Sequence, residues 1–406
     1  MVPAGDGVSE SAAAALALDG GALPLGGGLL ALLRPALLAA APGGVIALAS
    51  SNRGLRQDLP AWCRIERHDY LGCDAGPDTT DARDHHLIRR GPHDVPRPTD
   101  AEQPALADAH TGFAPRGALV EPGGPRYPFV LIERDRVAAP ETRQLYAQAT
   151  AAQWDATRDI PWSLVRPLPP PLERAVGQIM TFLAENELSA LYVPARFVAK
   201  LHPAYVEVAQ FLATQMTDEA RHIDVFLRRA RAGGGALGVS SVTTSRSLLS
   251  LLALDDFSEA AFLLSVLGEG TFLDLLRYVE RFAPDEATAE LARRTRSDEA
   301  RHVHFGVAHV RHALAHDATL ARRLEDAVRR RSATLHGVGG VPAPIQDALV
   351  VLAAGSDEPR ALARGHEAFQ ALLAEMHDGR AKRLMHAGFS SDEADRISML
   401  HTPNFM

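Results

Sequence analysis

The pentapeptide Asp-Glu-Ala-Arg-His occurs at 218–222 and returns 80 positions later at 298–302, in a chain of 406 residues with no other obvious repeat. Both copies lie in stretches dominated by Leu, Ala, Arg and Glu, so each is read on a helix. Glu219 and His222 then stand three residues apart on one helix face, as do Glu299 and His302. Each pair can hold one ion. The plainer reading is two solvated, charged helix turns, since a single Glu-x-x-His on a helix is common and usually means nothing. The surrounding sequence separates the two readings.

Four long helices are expected, over roughly 171–201, 204–231, 257–282 and 284–316, with Pro203 and Pro284 as start signals and Pro194 kinking the first near its end. The turns "LHPAY" and "FAPDE" are short and imply antiparallel neighbours, whereas a long Gly/Ser-interrupted segment joins the second helix to the third. Glu187 precedes Glu219 by 32 residues, and Glu269 precedes Glu299 by 30. Across a short turn, such separations bring one mid-helix residue to another. Six residues therefore fall at similar depth in two equivalent halves: Glu187, Glu219, His222, Glu269, Glu299 and His302. Glu185 is the alternative to Glu187, on the opposite side of the helix and with poorer spacing.

Phe182, Phe211, Phe226, Phe262 and Phe272 surround these acids and predict burial. Unpaired buried carboxylates are prohibitively costly, so metals or shared protons must compensate. Four carboxylates with two imidazoles suit oxygen-reactive iron or manganese better than zinc. Asp218, Asp298, Arg221 and Arg301 are read either as helix-surface charges or as partners of the ligands, the Asp residues orienting metal-bound imidazoles. His304, Asp224, Tyr192 and Tyr278 are assigned no role in the chemistry.

Composition bounds the rest. A net charge of −8 argues against nucleic acid or an anionic membrane surface as main partner. The Leu/Ala/Gly-rich stretch 22–50 follows Asp6 and Glu10 and is interrupted by Pro24, Arg34, Pro35 and Pro42, so neither a secretory signal nor a membrane span is expected. Only Cys63 and Cys73 are present, and neither a disulfide framework nor a thiolate metal site is expected from two cysteines. That usage fits a reducing cytoplasm.

Three zones are expected. Residues 1–90 read as a small two-layer α/β domain, with a helix at 29–38 and a strand within 43–51. Residues 91–142 are a Pro/Gly-rich linker in which "PFVLIERDR" reads as one strand, and residues 143–406 are helical, with three or four helices beyond Asp317. The fold class is thus multidomain α+β: a two-layer α/β domain, then an all-α ferritin-like four-helix bundle with extra C-terminal helices. The apolar end "LHTPNFM" is expected to tuck into a groove.

With "AENEL" before the first repeat and "LGEGTF" before the second, residues 143–316 resemble the ferritin-like di-iron carboxylate superfamily, nearest to its oxygenase hydroxylase subunits. The resemblance implies two iron ions, with an iron–manganese pair equally compatible, held by the six residues above. It also implies O2 as co-substrate, an organic small-molecule substrate and electrons from an external reductase or ferredoxin. The ribonucleotide reductase small subunit shares this fold but carries a radical Tyr where this chain has Phe226, and the Thr that hydroxylases carry one turn after the second-half Glu is here Leu273, with Thr271 nearby.

The N-terminal zone, "LDGGALPLGGGLLALLRPAL" and above all "DLPAWC" at 58–63, is similar to TusA-type sulfur carriers. The carrier Cys of their C-P-x-P motif is missing: "ALPLGG" keeps Pro24 alone, and Cys63 is read as a packed thiol. A degenerate domain kept for docking or homodimer contacts is the expected role. The leading expectation is an O2-dependent monooxygenase or oxidase, and the alternative is a non-catalytic metal-bound scaffold docking a sulfur-transfer partner. Iron storage fits poorly, because about 140 residues precede the bundle.

Overall fold

The computed structural model describes residues 16–75, 82–91, 105–106, 113–114, 117–120, 129–131, 133–335 and 341–401. The chain divides into two compact units, Met1–Ala107 with Gly117–Pro125, and Asp108–Arg116 with Arg126–Met406.

In the first unit, β1 (Leu16–Gly21), α1 (Leu29–Ala39), β2 (Val45–Ser50), α2 (Leu55–Ile65), β3 (Asp69–Asp74) and β4 (Asp84–Arg89) build one sheet in the order β1-β2-β4-β3. β1 and β2 run parallel, and the other pairings are antiparallel. Leu29, Leu33 and Leu37 of α1 and Leu55, Leu59 and Cys63 of α2 share a core with Ile46, Leu48 and Ile88 of the sheet. This is the expected two-layer arrangement. Cys63 is fully buried, and burial pushes its thiol up to about 12, the behaviour of a packed, unreactive thiol.

The second unit is helical: α3 (Arg134–Val137), α4 (Thr142–Ala151), α5 (Pro170–Val198), α6 (Val206–Arg231), α7 (Val242–Leu252), α8 (Phe257–Ala261), a π-helix (Phe262–Glu269), α9 (Gly270–Arg281), α10 (Glu286–His316), α11 (Leu320–Leu335), α12 (Ala343–Ala354), α13 (Pro359–His386) and α14 (Ser391–Leu400). Four long helical stretches, α5, α6, α8 through α9, and α10, form the expected bundle. Starts agree with local chemistry: Pro170 occupies the first turn of α5, and the Asp285 side chain accepts from the Thr288 N–H to cap α10. The third stretch departs from expectation, because its middle eight residues are π-helical and all buried. Such turns are rare and accumulate at functional sites, and this one ends on Glu269.

Other expectations need revision. "PFVLIERDR" is not one strand: Leu131 makes a single parallel bridge to Leu201, and Arg134–Val137 is already helical. The long Gly/Ser-interrupted crossover between the second and third bundle helices contains α7, capped by Ser241. The C-terminal helices lie directly on the bundle, with the Tyr278 hydroxyl donating to the Leu349 carbonyl at 3.0 Å and Arg383 facing Asp274 at 3.5 Å. The apolar end beyond His401 lies outside the described residues. No helix among the described residues is long and apolar enough to cross a membrane.

α10 approaches the π-helix closely at Gly306, where a Cβ would meet the Ser265 Cβ at 2.5 Å. Gly306→Ala gains helix propensity but forces the two helices apart, so we expect a net loss of about 1–3 kcal/mol in urea unfolding.

Candidate metal centre

Glu187 from α5, Glu219 and His222 from α6, Glu269 from the end of the π-helix, and Glu299 and His302 from α10 all converge, and each is at most 2% exposed. Their ligand atoms fall into two groups, Glu187–Glu219–His222–Glu299 and Glu219–Glu269–Glu299–His302, with the atoms of each group within 4.8 Å of one another. Glu219 and Glu299 belong to both. Glu185, the alternative in the sequence, is half-buried and belongs to neither group.

Both imidazoles present Nδ1 to the carboxylates. His222 Nδ1 lies 3.1 Å from Glu219, 3.2 Å from Glu299 and 3.7 Å from Glu187, and His302 Nδ1 lies 3.0 Å from Glu219 and 3.3 Å from Glu299. The far nitrogens reach the aspartates, but across the repeat: His222 Nε2 meets Asp298 at 3.2 Å, and His302 Nε2 meets Asp218 at 3.3 Å. Each Asp-Glu-Ala-Arg-His therefore orients the histidine of the other copy. Arg221 and Arg301 each pair with both aspartates, and Arg221 reaches Asp298 at 3.0 Å. Of the two readings of these charges, the structure gives the buried partner network.

Three contributors escaped sequence reasoning. Trp154 donates its indole N–H to Asp298 at 2.7 Å and lies under the Arg221 guanidinium, 4.5 Å from ring to cation. Gln153 donates to Asp218 at 3.0 Å, and Gln215 donates to Glu269 at 2.9 Å. Gln215 had a signal, since it lies four residues before Glu219 on the same face. Trp154 and Gln153 follow α4 in a segment with no periodicity to read.

The electrostatics describe a site short of positive charge. Burial drives the Glu187 and Glu269 carboxyls well above the usual range, and neighbouring carboxylates add to it. For Glu219, burial is outweighed by His302 and His222, which bring its carboxyl down to about 2. Burial would lower both histidines too, yet hydrogen bonds and charge from Asp298, Glu219 and Glu299 hold His222 well above its ordinary value, and Glu219 and Glu299 do so for His302. With both imidazoles neutral and all six buried or nearly buried carboxylates ionised, as metal binding requires, two guanidiniums leave four negative charges that two divalent ions balance. Glu187 Oε1, Glu219 Oε1, Glu269 Oε2 and Glu299 Oε1 are also buried without hydrogen-bond partners. Orphaned oxygens on four converging carboxylates fit a pair of cations.

Tyr192 is 55% exposed, and Tyr278 is buried with its hydroxyl on a backbone carbonyl.

No protein-family model and no curated protein matches the sequence. Among solved structures the chain is similar to several variants of an R2-like ligand-binding oxidase. One, with an aerobically reconstituted Mn/Fe cofactor, shares 18% identity over 62% of this chain and 94% of the other, at a TM-score of 0.48. A second, with an anaerobically reconstituted Mn/Fe cofactor, shares 19% over 62% and 94%, at 0.49. A third, with an aerobically reconstituted Fe/Fe cofactor, shares 18% over 62% and 93%, at 0.49. None of these similarities supports the resemblance of the N-terminal unit to sulfur carriers.

Proposed function

We propose that the chain is a di-metal carboxylate oxidoreductase that uses O2 to oxidise a small organic molecule, with electrons from an external reductase or ferredoxin. The observation that carries this reading is the pair of interlocking four-residue clusters sharing Glu219 and Glu299. Glu187, Glu219, His222 and Glu299 would hold one ion, and Glu219, Glu269, Glu299 and His302 the other. The donor set is compatible with two irons or an iron–manganese pair. When bound, such a pair supplies two-electron reduction of O2 beside the substrate.

The chain's own residues supply the rest. Asp218 and Asp298 accept the Nε2 protons of His302 and His222, fixing the tautomer that leaves Nδ1 as a lone pair for metal. Gln215 holds one oxygen of Glu269 and leaves the other free to coordinate. Phe182, Phe211, Phe226 and Phe272, each at most 2% exposed, exclude water around the carboxylates.

Because Glu187, Glu269 and both histidines are held above their ordinary values without metal, ions must displace protons from them. Iron(II) affinity is therefore expected to rise with pH, with net proton release in weakly buffered anaerobic titrations. Anaerobic loading followed by iron counting and O2 consumption with a chemical reductant tests the proposal. Two irons per chain and reductant-dependent O2 uptake are expected, whereas a loaded centre inert to O2 would favour the metal-bound scaffold.

A further inference from the structure

A second group of metal-ligating side chains lies in the first unit, in a place the sequence argued against. β3 and β4 pair antiparallel with Cys73 directly opposite His86, which puts the two side chains on one face of the sheet. Asp84 lies two residues before His86 and shares that face. One ligand atom from each of Cys73, Asp84 and His86 lies within 4.8 Å of the other two. His86 is fully buried and Asp84 nearly so, while Cys73 is half-buried on the edge strand β3, where an ion can enter.

Two features set this group apart from ordinary core packing. His86 Nδ1 is engaged by the Tyr70 hydroxyl at 2.8 Å, while its Nε2 is buried with no hydrogen-bond partner. A ring fixed at one nitrogen by a hydroxyl and left bare at the other is arranged as metal-bound imidazoles are. Arg56 of α2 meets both oxygens of Asp84, at 2.6 and 2.7 Å, and so fixes the orientation of that carboxylate as outer partners do around metal-ligating acids.

We propose that Cys73, Asp84 and His86 form a mononuclear site for a zinc-type divalent cation, with water in the fourth position. The mixed thiolate, imidazole and carboxylate donors suit zinc or cobalt, and a soft thiolate disfavours magnesium or calcium. The Cys73 thiol gives its proton to solvent on binding. Two cysteines do not build a thiolate cage, but one, joined by a histidine and an aspartate from the neighbouring strand, completes a three-residue set.

Cobalt titration of the metal-free full-length chain tests this independently of the bundle. Both cysteines belong to the first unit, and the bundle centre contains none, so thiolate-to-cobalt charge-transfer absorption reports on the first unit alone. The expected result is that absorption in the wild type, bleached on adding zinc. Cys73→Ser should lose it and bind one cobalt fewer per chain, while Cys63→Ser and Glu219→Ala should keep it. Cobalt-saturated wild type that is folded by circular dichroism yet lacks the absorption would overturn the site. So would absorption that survives Cys73→Ser and disappears in Cys63→Ser.

Discussion

Glu219→Ala is expected to remove both ions from the bundle rather than one. Glu219 belongs to both ligand groups, so its loss leaves each with three donor residues. Metal content should fall from two irons per chain to well under one, with reductant-dependent O2 consumption at background. Thermal unfolding supplies a readout that a merely structural acid would not move. Iron bound to the native state alone should stabilise the wild type by about 4 kcal/mol at a thousandfold excess over Kd, and should leave the variant's Tm where it was. Glu185→Ala is the control: its side chain lies outside both groups, so it should retain both ions.

The second large effect concerns a residue that need not touch metal. Asp298 accepts from His222 and Trp154 and pairs with Arg221 and Arg301. Removing it leaves Arg221 and Arg301 to share Asp218 and strands a buried indole N–H, and Asp298→Ala should lose about 1–3 kcal/mol without metal. It also frees His222 to turn, at an expected cost of about 10–100-fold in metal affinity. The pH dependence has a definite sign. Burial acts to raise the Asp298 carboxyl, but His222, Trp154 and Arg301 outweigh it and hold it well below its ordinary 3.8. A depressed carboxyl stabilises the fold above the unfolded value and loses that contribution as pH falls through the folded one. The stability gap between wild type and Asp298→Ala should therefore be widest above pH 3.8 and close as acid is added. Asp298→Asn, which keeps the shape, should recover packing but not the charge, leaving Asp218 as the one aspartate paired with Arg221 and Arg301. Urea unfolding at several pH values checks all three.

The repeat disclosed much of this because helix geometry is short-ranged: Glu and His at three-residue spacing face one way whatever the tertiary context. Matched separations then chose Glu187 over Glu185 and brought Glu269 in. What the sequence withheld is set between elements. That Asp218 serves His302, and Asp298 serves His222, follows from how α6 and α10 face each other, and two identical pentapeptides carry no sign of the exchange. Trp154 reaches Asp298 across 144 positions from an aperiodic segment. The π-helix ending on Glu269 has no proline and meets glycine only at its end, at Gly268, so its run of apolar side chains reads as ordinary helix until packing against α10 is seen. In the first unit, the strand at 43–51 and the helix at 29–38 were legible from bounded apolar runs. The Cys73–His86 pairing was not, since strand register depends on the partner strand.

Anomalous diffraction from iron-soaked crystals, recorded at the iron edge, tests the central claim most directly. The account predicts two peaks in the bundle, one among Glu187, Glu219, His222 and Glu299 and the other among Glu219, Glu269, Glu299 and His302. A single peak in the bundle, or a fully occupied bundle iron lying away from Glu219 and Glu299, would contradict it.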